Sequence, residues 1–395
     1  MRLLHTSDWH IGRTFHGHST LDALRTVLEG LVGIVRDRAV DVVLVSGDVF
    51  DSAMPAAEHY TLLTDTLVAL RAAGAEVIVT SGNHDSAARL GFQSPFLSLS
   101  GIHVVTAPEQ YLEPILLDLG HDGNGAGAGP VAFYGIPYLE PSLFRHRHPD
   151  AALRRHDDVL AFVMDRIRAD AAARGGRSVV LAHCFVTGGD AEASAPAGSV
   201  ERDITAGGLD YVSLDRFRGP DYVALGHIHG RAVLADGIRY SGAPLHYSFG
   251  EAGKPRGAWL VELGAEGLGD VSWVALPVPR RLTVLTGTLE ELLADPSNAE
   301  YEQNWISAIV TDTVRPLDAM AKLQKRFPWC ATIEHRPAER AEGGERRYAA
   351  RVRAKSDPEI VAEFLAHVRN GAGPTGAEAA RIAEAFAALD ADPGR

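Results

Sequence analysis

The chain has 395 residues, of which 46% are hydrophobic and 23% charged, with a formal net charge of −13. That length exceeds one ordinary domain, and the composition suits a globular protein with a sizeable interior. The acidic balance argues against a protein that wraps nucleic acid unaided, because phosphate contacts need Lys and Arg. No apolar stretch approaches the roughly 20 residues that span a bilayer. Met1-Arg2-Leu3-Leu4-His5 runs straight into a polar motif with no space for a signal peptide, and Cys184 and Cys330 form no CxxC pair. The cytoplasm is the expected compartment.

Leu3–Thr6 reads as the first strand. Leu21, Leu24, Leu28, Leu31 and Val35 then recur at helical spacing, ahead of a second strand at Val42–Ser46. Leu62, Leu63, Thr66, Leu67 and Leu70 repeat the helical pattern before a third strand at Val77–Thr80. Gly120–Pro130 reads as a glycine-rich hairpin tip; it lacks the Gly-Lys-Ser/Thr and the following helix of a phosphate loop. Val179–Ala182 and Tyr222–Leu225 complete the strand set. Buried apolar strands with helical crossovers predict an α/β fold of largely parallel sheet order.

Near Pro277-Val278-Pro279 the texture changes. A strand at Leu282–Thr286 leads to Thr288, with Glu291 three residues on as its capping-box partner, and Pro296 ends that helix. Trp305–Val310 reads as a strand, Leu317, Met320, Leu323 and Phe327 as one helix face, and Cys330–Glu334 as another strand, giving a small α+β unit. Two capped helices follow. Asp357-Pro358 opens one carrying Ile360, Val361, Phe364, Leu365 and Val368; Thr375 with Glu378 opens the other, carrying Ile382, Phe386 and Leu389. By default such helices pack on their own domain, and the alternative is that they present their stripes to another protein.

Five polar motifs each follow one of the apolar strands: Asp8-Trp9-His10, Gly47-Asp48 with Asp51, Gly82-Asn83-His84-Asp85, His183, and Gly226-His227-Ile228-His229. Ligands of α/β sheets bind at the carboxyl edge, so these motifs are expected to converge on one rim. Alternation along a strand end would put Asp8 and His10 on one side and Trp9 on the other. Four imidazoles, two carboxylates and an amide, with no thiolate, suit two hard or borderline divalent cations, and one aspartate can bridge both. A paired-metal centre of this kind activates a water for attack on phosphorus.

In order and placement these motifs resemble the calcineurin-like metallophosphoesterase superfamily and, within it, the SbcD family of bacterial DNA-repair nuclease subunits. The closer resemblance is carried by His5-Thr6-Ser7-Asp8-Trp9-His10-Ile11-Gly12-Arg13, Ser46-Gly47-Asp48-Val49-Phe50-Asp51, Gly82-Asn83-His84-Asp85-Ser86, Tyr134-Gly135-Ile136-Pro137-Tyr138, Ser241-Gly242-Ala243-Pro244 and Ser248-Phe249-Gly250-Glu251. It implies a four-layer α/β/β/α sandwich nuclease domain over 1–279, a small α+β capping domain over 280–354, and C-terminal helices over 355–395 that grip the coiled coil of an SbcC-type, SMC-like ATPase. It further implies that Asp8, His10, Asp48 and His229 hold one metal, that Asp48, Asn83, His183 and His227 hold a second, and that the ions are Mn, with Mg, Fe or Zn as alternatives. His84 would face the scissile phosphate, stabilising charge or protonating the departing oxygen. Asp51 would orient that imidazole, its rival role being to stabilise the turn, and Asp85 would be structural. The implied activity is exonuclease action on duplex ends and endonuclease action on single strands or hairpins, in a homodimer within a heterotetramer, in the nucleoid-associated cytoplasm.

Weaker candidates remain. His16 and His18, the basic run Arg145-His146-Arg147-His148 with Arg154-Arg155-His156, and Arg89 are either solvated surface or DNA contacts. Cys184 reads as a small buried residue. Against the nuclease stand a stand-alone binuclear-metal phosphodiesterase acting on small phosphoesters and a non-catalytic scaffold. The complete ligand set speaks against the scaffold, and the appended C-terminal 115 or so residues speak against the small-molecule enzyme.

Overall fold

The apolar strands of the N-terminal half have no polar face, so each needs a covering layer on both sides. Along Val42–Ser46, Val43 and Val45 pack outward with Leu24, Leu28 and Leu31 of the helix Leu21–Asp37 and with Leu67 and Leu70 of the helix Ala57–Ala72. Val42 and Leu44 face the other way, into a core shared with Val131, Phe133, Val179, Leu181, Tyr222 and Ala224 of a second sheet. The outer face of that second sheet is covered by Val159, Val163, Met164 and Ile167 of the helix His156–Arg174. The result is helix, sheet, sheet, helix: a four-layer α/β/β/α sandwich.

The computed structural model describes residues 1–118, 129–187, 211–337, 355–369 and 371–390; most of the predicted tip at Gly120–Pro130 lies outside them. The chain divides into two compact units, Met1–Arg281 and Leu282–Arg395. In the first unit one sheet runs Gly267–Ala275, Gly257–Gly264, Arg2–Thr6, Val42–Ser46, Glu76–Thr80, Ile102–Val105. Its last four strands are parallel, and the first two form an antiparallel hairpin at the edge. The second sheet runs Ala232–Ala235, Ile238–Tyr240, Tyr222–Gly226, Arg177–His183, Val131–Gly135, Ile115–Leu117, with four parallel strands between two antiparallel edges. The predicted parallel order therefore describes the middle of each sheet and not its margins.

The second unit holds three parallel strands, Leu282–Gly287, Trp305–Val310 and Cys330–His335. Thr288 and Glu291 exchange the two bonds of the predicted capping box, Thr288 N–H to Glu291 Oε2 at 2.7 Å and Glu291 N–H to Thr288 Oγ1 at 3.2 Å. The helix Ala319–Arg326 buries Leu323, with Phe327 beside it, but Leu317, predicted on the same face, precedes the helix and is exposed. Its exposure follows from Asp318, whose left-handed backbone (φ 54) turns the chain just before the helix starts. At the C-terminus the helices Asp357–Val368 and Gly376–Asp390 are joined by Arg369, which makes a two-pronged bond to Glu378 at 2.8 and 2.9 Å. The default expectation is that this pair buries its stripes; among the described residues of the two helices none is buried, and Phe364 and Val368 are exposed. Among the described residues no helix is long and apolar enough to cross a membrane.

Phe133 sits between the two sheets with no exposed surface. Phe133→Ala should lower the stability of the first unit by about 3–5 kcal/mol, read as a shifted urea midpoint; a loss under about 1 kcal/mol would contradict the described packing.

Candidate metal centre

The first strand ends at Thr6, so Asp8 and His10 do not converge by strand alternation as predicted. Both lie in left-handed backbone, at φ 53 and φ 44, as do Asp48 at φ 48 and His227 at φ 105. Such conformations cost about 1–3 kcal/mol each and persist where surrounding structure enforces them. Here Asp8 N–H bonds Gly47 O at 3.0 Å and His10 N–H bonds Asp48 O at 3.0 Å. The indole of Trp9 is buried in the outer core and donates to Thr6 Oγ1 at 3.0 Å. The turn thus points Trp9 inward and its two neighbours at the rim.

All seven predicted ligands meet there. His10 Nε2 lies 3.0 Å from His229 Nε2. Asp48 Oδ2 stands 3.2 Å from His183 Nε2 and 3.7 Å from His10 Nε2, which places one carboxylate between two groups of imidazoles. Asn83 Oδ1 is 3.0 Å from His183 Nε2 and 3.2 Å from His227 Nδ1. The Asp8 carboxylate accepts the main-chain N–H of His227 at 3.0 and 3.2 Å, and Ser7 Oγ bonds it at 2.5 Å. Ligand atoms of Asp8, His10 and His229, and of Asp8, Asp48 and His183, each fall within 4.8 Å of one another.

The outer nitrogens of three imidazoles face acceptors. His183 Nδ1 lies 2.9 Å from Ser46 O, and His229 Nδ1 lies 3.4 Å from Glu251 Oε1. The Asp51 carboxylate is 3.3 Å from His10 Nδ1, without the alignment of a formed hydrogen bond. The arrangements at His183 and His229 favour Nδ1–H and turn Nε2 to the interior of the site, which is how metal-binding histidines are oriented. Oxygen and imidazole donors without thiolate fit a hard or borderline divalent cation. Cys184, next to His183, is buried in the outer core of the second sheet, where burial pushes its thiol up to about 12.

Burial drives the His10 imidazole below its usual range despite the carboxylates around it. His183 goes the other way. Burial pulls it down, but the charge and hydrogen bond of Asp48 outweigh this, and its pKa is raised to about 9. Asp48 is correspondingly driven far below the carboxylate range: burial opposes this, and His183, His10 and His84 overcome it.

Asp51 departs from its predicted place. Its carboxylate faces His10 and Arg13, the latter also at 3.3 Å, whereas His84 Nδ1 is held by the Asp51 main-chain carbonyl at 2.9 Å. His84 itself joins the cluster, its ring edge-on to His10 at 4.9 Å between centroids. Asp85 accepts the N–H groups of Val49, Phe50 and Gly82 at 2.9–3.1 Å and so ties two motif loops together. Asn83 is exposed, and His84 and His227 are half-buried, so the cluster opens on their side. Of the weaker candidates, Arg89 donates to Ala53 O at 3.0 Å, Arg147 pairs with Glu109, His156 is buried against the Tyr138 ring, and His16 rests against Phe15 and Phe249; His18 lies in a two-residue hairpin strand beside it. Sequence alone does not single out the buried pair Glu251 and Arg256 behind His229, because nothing in local spacing links Glu251 to a histidine 22 residues earlier.

A family model described as calcineurin-like phosphoesterase matches residues 1–231, more than half of the chain. One described as type 5 capsule protein repressor C-terminal domain (SbcD_C) matches residues 278–369. The chain therefore belongs to the calcineurin-like phosphoesterase family. It is 34% identical over 272 residues to a Bacillus subtilis (strain 168) protein named as a subunit of the nuclease SbcCD, over 66% of this chain and 66% of that one, just under two thirds of the relative's length. Solved structures with a similar fold include a dimetal phosphatase from Danio rerio, at 13% identity and TM-score 0.39 over 70% of this chain and 99% of that one. A Thermus thermophilus protein matches at 13% identity and TM-score 0.38 over 69% and 98%.

A cation taken up at His183 Nε2 must displace the proton that Asp48 holds there. Divalent-metal affinity should therefore rise with pH up to about 9, with proton release visible by calorimetry in buffers of different ionisation enthalpy. Affinity that is flat between pH 6 and pH 9 would contradict the coupling.

Proposed function

We propose that the chain is the nuclease subunit of an SbcCD-type complex, hydrolysing DNA phosphodiester bonds with two divalent cations, Mn foremost. The observation that carries this reading is the position of Asp48 Oδ2 between His10 and His183, with Asp8 and His229 on one side and Asn83 and His227 on the other. Asp8, His10, Asp48 and His229 would hold one ion, and Asp48, Asn83, His183 and His227 the other. Bound there, the pair would polarise the phosphate and activate the attacking water. Two dications against two carboxylates leave about two positive charges, attractive to a phosphodiester even in an acidic protein.

The residues of the chain divide the remaining work. His84, half-buried at the open side, would meet the scissile phosphate through Nε2, since Nδ1 is committed to Asp51 O. Asp51 is then a positioning residue, through its carbonyl for His84 and its carboxylate for His10. Asp85 would hold the two loops that carry Asp48 and Asn83 in register. For the rest of the chain we infer that the α+β part over 280–354 takes part in binding DNA. The helices over 355–395, with exposed Phe364 and Val368, would dock on the coiled coil of an SbcC-type ATPase. The working assembly is a homodimer within a heterotetramer, in the cytoplasm, acting as exonuclease on duplex ends and endonuclease on single strands and hairpins. The similarity to the Bacillus subtilis protein and the SbcD_C match over 278–369 support this over a stand-alone phosphodiesterase.

End-labelled duplex DNA and bis-p-nitrophenyl phosphate, each with and without Mn, separate the two readings: a DNA nuclease degrades the duplex, whereas cleavage of the small ester alone would favour the phosphodiesterase. Asp48→Ala should reduce Mn-dependent cleavage to background with circular dichroism unchanged, and turnover at the wild-type rate would refute the bridging role. Removing residues 357–390 should abolish co-purification with the ATPase, and an intact complex would refute the docking assignment.

A further inference from the structure

Glu251 and Arg256 are charged, buried to 2% and 3% exposure, and outside the proposed ligand set. Arg256 binds Glu251 Oε2, and its Nη1 donates to the main-chain carbonyls of His229 and, at 3.3 Å, Ala243. Tyr247 N–H donates to the same Oε2 at 3.0 Å. The other oxygen, Oε1, is left facing His229 Nδ1 at 3.4 Å. The pair thus grips His229 by its backbone and by its ring. A buried ion pair is a poor source of stability, because desolvation offsets the attraction, so its placement behind one imidazole calls for another account.

We propose that Glu251, fixed by Arg256, is a positioning residue that sets the tautomer of His229 and, through it, the affinity of one metal position and not the other. The inference rests on the reading of His229 as a ligand. A carboxylate oxygen can only accept, so the proton is held on Nδ1 and the Nε2 lone pair is turned towards His10 and Asp8. The counterpart behind His183 is a neutral carbonyl, Ser46 O. The Asp8–His10–His229 position is therefore the one backed by a buried, hydrogen-bonded carboxylate, which strengthens His229 as a donor.

Glu251→Gln discriminates. Glutamine has one amide oxygen, and Arg256 and the Tyr247 N–H already claim the Oε2 side. The amide NH2 is then turned to His229 Nδ1 and drives the ring proton to Nε2, where it blocks a cation. Full-length protein labelled with 15N at histidine, read by NMR with Mn absent, reports the tautomer; Mn titration followed by EPR and calorimetry reports occupancy. Wild type should show Nδ1–H at His229 and bind a Mn pair. Glu251→Gln should switch to Nε2–H, keep one Mn at wild-type affinity and weaken the other about 10–100-fold, while Glu251→Asp keeps the Nδ1–H form and most of the affinity. An unchanged tautomer with two Mn at full affinity, or equal weakening of both positions, overturns the proposal. If wild type binds no Mn pair, or His229→Ala leaves both Mn in place, the metal centre itself is refuted and this proposal with it. Should Glu251→Gln alone not fold, Glu251→Gln combined with Arg256→Met removes the unpaired buried cation, the Tyr247 N–H still holds the amide oxygen on its side, and the same two signals decide.

Discussion

The site exists because of how closely the two sheets approach at the end of the strand Val42–Ser46. Ser46 ends a strand of the first sheet, and its hydroxyl donates to Ala224 O of the second at 2.9 Å. Its carbonyl receives His183 Nδ1 at the same distance. A Cβ on Gly226 would stand 1.8 Å from that carbonyl, so no residue but glycine permits the approach. Gly47, at φ +80, is the matching requirement on the other side, where a Cβ would fall 2.3 Å from His183 Nδ1. There the aspartates and His10 that follow strands of one sheet meet His183, His227 and His229 that follow strands of the other, although some 220 positions separate the first from the last.

Convergence alone does not make a metal site; the side chains must also be in the right protonation state. Ser46 O behind His183 and the Glu251 carboxylate behind His229 face the Nδ1 atoms, and left-handed turns at Asp8, His10, Asp48 and His227 aim the donors inward. Conformational strain at these positions is borne by the hydrogen bonds that lace the loops together, Asp85 foremost, and by the sandwich beneath them. The same packing that buries Val42, Leu44 and Phe133 therefore maintains a cluster of like-directed lone pairs that would not assemble in an isolated loop.

Much of this was legible in the sequence. The strands at Leu3–Thr6, Val42–Ser46 and Val77–Thr80 are uninterrupted apolar runs, readable because both faces are covered, and the ligand set followed from what stands at their ends. The edge strands Ile115–Leu117, Ala232–Ala235 and Gly267–Ala275 are short or half-exposed, so burial wrote no strong pattern into them. Asp8 and His10 share one side with Trp9 opposite, as alternation predicts, but through left-handed turns beyond the strand end, and positive φ at a non-glycine residue leaves no local mark. The resemblance implies that Asp51 orients His84, and it does so through its main-chain carbonyl, while its carboxylate faces His10, a difference that only tertiary structure displays. Glu251 and Arg256 were silent because buried charge is visible only once burial is known.

The most direct test of the central claim is anomalous scattering from a crystal of the full chain soaked in Mn. Two peaks should appear on either side of the Asp48 carboxylate, one against Asp8, His10 and His229 and the other against Asn83, His183 and His227. A single peak, or density away from Asp48, would contradict the account of a carboxylate shared between two ions at the seam of the sheets.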